Sequence, residues 1–147
     1  MSEFKYPEGF FSSYHSQKPI CGVLAVALAA GVTYDVAHEH CKQAMKDLYP
    51  TRQRFGGRTY TNQRELAMKR LGVKFERTDI VAKAPRLIDA IKEFEPDTLY
   101  QVVYAKHIAT IRNGFIIDQH KLIKVELALS CAKSRIREIT KIIGRGW

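Results

Sequence analysis

Cysteine is scarce, with three residues, Cys21, Cys41 and Cys131, in a chain of 147. An odd and widely spaced set cannot pair off within one chain and is too sparse for a disulfide framework, so reduced thiols are expected. Acidic side chains are in deficit, 15 against 24 lysines and arginines. The resulting net charge of +9 points to an acidic partner, nucleic acid or an acidic protein surface, but supplies no mechanism. Long apolar runs are missing too. The longest, around Ile20 to Val32, is too short and glycine-broken to span a bilayer, and the opening Met1 to Gly9 holds no apolar signal core. A cytoplasmic protein without membrane association is the expectation. Neither a low-complexity tract nor a fixed-period repeat occurs.

What is present is an ordinary globular balance of apolar and charged residues over a length suited to one core, and hence a single domain over 1–147. Residues 1–16 carry aromatics without helical or alternating period and read as an extended arm. The chain is organised around the stretch from Gln17 to Ala30, where a proline-bearing polar approach runs into a small-residue apolar helix with Cys21 at its first turn. Pro19 disfavours helix in the residue before it, so the break between loop and helix falls near Cys21, and Gly31 ends the helix. A thiol at that position sits beside unpaired backbone N–H groups and the positive end of the helix dipole, both of which favour thiolate. Gly22 leaves room for a substrate carbonyl beside the sulfur, and Gln17 can aim its side-chain NH2 at an oxyanion. The competing reading is a cysteine packed as a small hydrophobe.

Further along, Thr33 is a plausible N-cap and Asp35 suits the first turn of a second helix, whose apolar stripe is Val36, Ala37, His40, Cys41, Ala44 and Leu48. That helix ends before Pro50. Of His38, His40 and Cys41, only the i, i+3 pair His38 and Cys41 can converge, which falls short of a metal site, and no cofactor is expected. Thr51 to Tyr60 is loop-like around Gly56-Gly57. Its arginines, Arg54 and Arg58 among them, either solvate a loop, line a substrate or anion rim, or with Arg52, Phe55 and Tyr60 grip nucleic acid. Thr61 or Asn62 caps a third helix with Leu66, Ala67, Arg70 and Leu71 inward and Gly72 at its end. Val73 to Glu76 alternates as a strand, and Pro85 opens a fourth helix facing inward through Leu87, Ile88, Ile91 and Phe94.

Strand signals dominate from Thr98 onward. Thr98 to Tyr104 is β-branched and aromatic, and His107–Ile111 meets Phe115–Asp118 across Asn113-Gly114, a strong hairpin signal. A two-residue turn sets Arg112 opposite Phe115, Ala109 opposite Asp118 and His107 opposite His120. His107 and Asp118 then form a diagonal pair at about 7–8 Å, within reach of a carboxylate that orients an imidazole. The alternative is a histidine and an aspartate at the wet ends of two strands. Lys121 to Leu127 alternates as a strand, while the tail from Ile136 to Ile143 fits helix or strand and carries Lys133, Arg135, Arg137, Lys141 and Arg145.

Gln17, Cys21, His107 and Asp118, in that order, resemble the papain-like cysteine peptidase superfamily. Cys-Gly before a small-residue helix, a capped second helix at Gly31-Val32-Thr33-Tyr34 and a final histidine, hairpin and aspartate look most like the compact double-glycine (bacteriocin-processing) peptidases and their phage and bacterial relatives. Val23 departs from the Pro or Ser often found after Cys-Gly in that branch, and the Gln17 to Cys21 interval is shorter than in papain. The resemblance implies an α+β fold, N-terminal helices packed on a C-terminal antiparallel sheet, and favours a strand for the tail. It also implies acyl transfer on a peptide or protein substrate with Cys21 as nucleophile, His107 as acid and base, Asp118 as its orienting group and Gln17 at the oxyanion. The other expectation, from charge, is an inactive basic module binding nucleic acid or an acidic protein.

Overall fold

The small-residue run becomes helix α1 (Cys21–Ala30) in the computed structural model, which describes residues 21–51, 54–55, 59–104, 107–117, 122–124 and 134–144. The expected arm over 1–16 and Gln17 lie outside the described residues, as do Arg52, Arg58, Asp118, His120 and Cys131. The chain is α+β, in two compact units divided after Val73, one helical and the other, Lys74–Gly144, built on a sheet. Among the described residues no single helix is long and apolar enough to cross a membrane.

In the helical unit α1 is apolar all round and accordingly buried all round, from Gly22 to Ala30. Burial of Val23, Leu24, Val26 and Leu28 is worth about 1.5–3 kcal/mol each. Helix α2 (Tyr34–Leu48) begins at Thr33, whose Oγ1 accepts from Val36 N at 3.3 Å, and carries Asp35 in its first turn. Its buried face is Tyr34, Ala37, His38, Cys41, Ala44 and Met45, whereas Val36 and Leu48, expected inward, are exposed. Tyr34 decides this, because burying its large ring at the first turn rotates the inward stripe onto His38 in place of His40.

Helix α3 (Thr61–Arg70) has Tyr60 as N-cap rather than Thr61 or Asn62. Its buried positions are Gln63, Arg64, Ala67 and Met68, while Arg70 is exposed, so the expected inward stripe is displaced here as well. The reason is hydrogen bonding. Gln63 Nε2 donates to Cys41 O at 2.8 Å and Gln63 Oε1 accepts from Tyr60 N at 3.2 Å, stitching α3 to α2 and closing its own first turn. At the surface Arg70 lies 2.6 Å from Asp47, and with Gln43 it holds that carboxyl below its ordinary range.

The second unit is a six-stranded sheet in the order β1-β6-β2-β3-β4-β5, each neighbouring pair antiparallel. Its strands are β1 (Lys74–Thr78), β2 (Tyr100–Tyr104), β3 (His107–Arg112), β4 (Phe115–Ile117), β5 (Leu122–Lys124) and β6 (Ile136–Gly144). The tail is therefore a strand, set between β1 and β2. A short helix, α4 (Ile80–Lys83), precedes Pro85, and the single helix expected after that proline is instead two short pieces, α5 (Leu87–Ala90) and a 3₁₀ turn at Ile91–Glu93. Backbone at 85–87 is engaged by the approach to β6: Ile136 N donates to Pro85 O at 2.7 Å, Leu87 N to Ser134 O at 3.4 Å, and Arg86 bridges Arg135. One sheet face, with Tyr100, Val102, Tyr104, Ala109, Ile111, Ile136 and Ile139, packs on Ala84, Leu87 and Ala90. The opposite face carries a buried polar row, Thr140, Gln101 and Thr110, each opposite the next across β6, β2 and β3.

Replacing Gln63 by Leu keeps about the same volume and removes both hydrogen bonds, the one to the Cys41 carbonyl and the one from the Tyr60 amide. The expected cost is about 2 kcal/mol or more, read as a lower urea midpoint with unchanged slope.

Candidate active site

Cys21 is the first residue of α1, half-buried, and the buried run begins with the residue after it. The helix head is roofed by the far end of the 51–60 loop. A Cβ on Gly22 would run into the Thr59 hydroxyl and stand 3.0 Å from Thr59 Cβ and 3.2 Å from its Cγ2. The room expected beside the sulfur for a substrate carbonyl is thus occupied, on the Gly22 side, by Thr59. Glycine is needed there for close approach between loop and helix.

Thr59 is in turn pinned by Arg64. Its Nη1 donates to Thr59 Oγ1 at 2.9 Å and to Thr59 O at 3.2 Å, and its Nη2 donates to Thr61 Oγ1 at 3.0 Å. Arg64 is only 6% exposed, so a charged fork inside the helical unit fixes Thr59 against the head of α1. Nothing in the hydropathy of α3 marked Arg64 as buried, and Thr59 sits in a stretch read as loop. Their roles depend on contacts between segments far apart in sequence.

Cys41 is different from Cys21. It is buried on α2, and burial pushes its thiol up to about 12, against a smaller lowering by the Arg64 charge. A thiol held protonated in that way is neither nucleophile nor ligand at neutral pH. His38, one turn before it, is buried between rings, with centroids 4.9 Å from Phe55 and 6.4 Å from Tyr34. Phe55 anchors the middle of the loop in this way while Arg54 beside it is exposed. Among the described residues no three His, Cys, Asp or Glu side chains converge as a metal site would require.

In the sheet unit His107 opens β3 opposite Tyr104, exposed, with the two rings edge to face at 5.3 Å. Strand alternation sets it on the face of Ala109 and Ile111. The hairpin has the expected turn. Asn113 and Gly114 both have positive φ, 51° and 78°, and Arg112 pairs with Phe115 and Ile111 with Ile116. The positions that this register assigns to Asp118 and His120 lie outside the described residues, as do Gln17 and Arg58. No protein-family model, curated protein or solved structure matches the chain.

Two outcomes are expected from this geometry. Gly22→Ala forces Thr59 off the helix head and lowers stability by about 1–3 kcal/mol, measured by urea unfolding. Cys41 has an ordinary value of 9.0 and a folded value near 12, so the unfolded chain gives up this proton first as pH rises. Its contribution is complete below pH 9.0 and declines between there and about 12, by at most about 1.4 kcal/mol per pH unit. Urea midpoints across that range should fall more steeply for the parent protein than for Cys41→Ala.

Proposed function

We propose that the protein is a thiol-dependent hydrolase, a cysteine peptidase or amidase of the papain-like kind. The observation that carries this reading is the contrast between the two described cysteines. Cys41 is sealed and held protonated, while Cys21 is half-buried at the head of a buried helix, where backbone N–H groups and the helix dipole favour a thiolate. In this reading the Cys21 thiolate attacks a substrate carbonyl and His107 keeps the proton until it passes it to the leaving amine. Asp118 orients His107, and the Gln17 side chain with the Cys21 backbone N–H stabilises the oxyanion. Water then attacks the acyl-enzyme and frees the acid. Exposed Arg54, together with Arg58, is assigned to a substrate rim, and a reducing cytoplasmic setting suits the thiol.

The reading requires the thiol of Cys21 and the imidazole of His107 to act as a pair. Alkylation by iodoacetamide, followed against pH and located by mass spectrometry, tests this directly. Selective labelling of Cys21 well below the ordinary thiol pKa of about 8.5, lost in His107→Ala, is expected. Cys21→Ala should fold and show no turnover on a peptide or amide panel. Labelling of Cys21 no faster at low pH than an ordinary thiol removes the nucleophile.

A second reading is favoured by one feature of the surface. Arg86 and Arg135 are exposed and lie opposite each other across a backbone bridge, with Arg137 exposed two residues on, which gathers three basic side chains on one stretch of surface. A basic module of this kind binds nucleic acid with affinity that drops steeply as salt rises and that survives Cys21→Ala. Weak, salt-insensitive binding of a single-stranded RNA or DNA probe removes this reading.

A further inference from the structure

The Asn113-Gly114 pair that shapes the β3–β4 turn is also chemically labile. Gly114 has no side chain, and beyond its two chain neighbours no atom lies within 4 Å of where its Cβ would stand, so no packed segment crowds this residue as the Asn113 side-chain carbon approaches its backbone nitrogen. What the structure adds is a clasp on that side chain. Asp97 N donates to Asn113 Oδ1 at 2.8 Å and Asn113 Nδ2 donates to Asp97 Oδ1 at 2.9 Å, so both ends of the amide are held by one residue. Arg112 Nη2 stands 3.6 Å from the same Asp97 oxygen. Asp97 itself takes a left-handed backbone, φ 53°, which points its N–H and carboxylate at the turn together.

We propose that Asn113 is a deamidation site whose rate is set by the Asp97 clasp, and that deamidation opens the clasp. In the reaction the Gly114 backbone nitrogen, losing its proton, bonds to Asn113 Cγ. The Cγ–Nδ2 bond breaks and ammonia leaves with that proton, giving a five-membered succinimide. Water then opens the ring at either carbonyl to leave aspartate or isoaspartate. Water replaces ammonia overall, and nothing is oxidised or reduced.

Ring closure needs Cγ to swing over the Gly114 nitrogen, which the two hydrogen bonds to Asp97 oppose. Once formed, a carboxylate at 113 cannot donate to Asp97 Oδ1, and two like charges face each other where a 2.9 Å hydrogen bond stood. Arg112 offsets part of that repulsion. The isoaspartate product also adds a methylene to the main chain of a two-residue turn, which disturbs the pairing of Arg112 with Phe115. The modification therefore acts on the hairpin whose first strand begins at His107. Asn62, the other asparagine in the chain, is an internal comparator: it lies within α3, is followed by Gln63, and donates to Tyr49 Oη at 2.8 Å.

The test incubates the full chain at mildly alkaline pH and follows both asparagines by peptide mapping, reading the mass change of NH2 replaced by OH. Asp97→Gly keeps the left-handed backbone and removes the acceptor, whereas Asp97→Asn keeps an acceptor oxygen. Modification of Asn113 is expected to be several-fold faster in Asp97→Gly than in the parent protein, near the parent rate in Asp97→Asn, and well ahead of Asn62 in each. Equal rates in the parent and a folded Asp97→Gly, or modification of Asn62 as fast as Asn113, overturn the proposal. For the consequence, Asn113→Asp should melt below the parent at neutral pH, with the gap narrowing as pH falls through the carboxylate range. A melting temperature equal to the parent's at neutral pH overturns that half.

Discussion

Burial of α1 on every side is the constraint that the helical unit depends on. A helix with no polar face has no way to sit at a surface, so α2 and α3 must cover it, and its alanines and Gly22 let them come close. The contact between Gly22 and Thr59 is the tightest expression of this. It brings Thr59 down onto the helix head, and the buried Arg64 then holds Thr59 in place through two hydrogen bonds to its carbonyl and hydroxyl oxygens.

That arrangement explains why the interior of a small helical unit holds Gln63 and Arg64 at positions where leucine would be the simple choice. Each serves backbone groups beyond its own turn of helix, the Cys41 carbonyl and Tyr60 amide for one, the Thr59 carbonyl for the other. The same logic acts in the sheet unit. There the backbone around Pro85 gives up a continuous helix to bond with the start of β6, and Asp97 reaches across to hold the Asn113 turn. Local regularity yields wherever a distant segment has hydrogen-bonding groups to satisfy.

The two cysteines show how environment, more than residue type, sets chemistry. Cys41 is surrounded, so loss of its proton would create a charge in a poorly solvated place, and the nearby Arg64 charge compensates only in part. Cys21, in contrast, stands half-buried as the first residue of α1. His107 is exposed in β3, while His38 is packed between Tyr34 and Phe55.

The sequence by itself determined whatever depends on near neighbours. The Thr33 cap, the end of α2 before Pro50, and the hairpin register at Arg112 and Phe115 follow from a cap, a proline and an Asn-Gly pair acting over a few residues. Of the candidate site, the local pattern implied that Cys21 belongs to a helix and His107 to a strand, and they lie in α1 and β3. Only the tertiary structure decided that Tyr34 and His38 turn inward in place of Val36 and His40, that Gln63 and Arg64 are buried, and that the space beside Gly22 belongs to Thr59. It also decided that the tail, able to be helix or strand, lies as β6 between β1 and β2. Those outcomes turn on which distant groups compete for burial and for hydrogen bonds, and local periodicity holds no record of that competition.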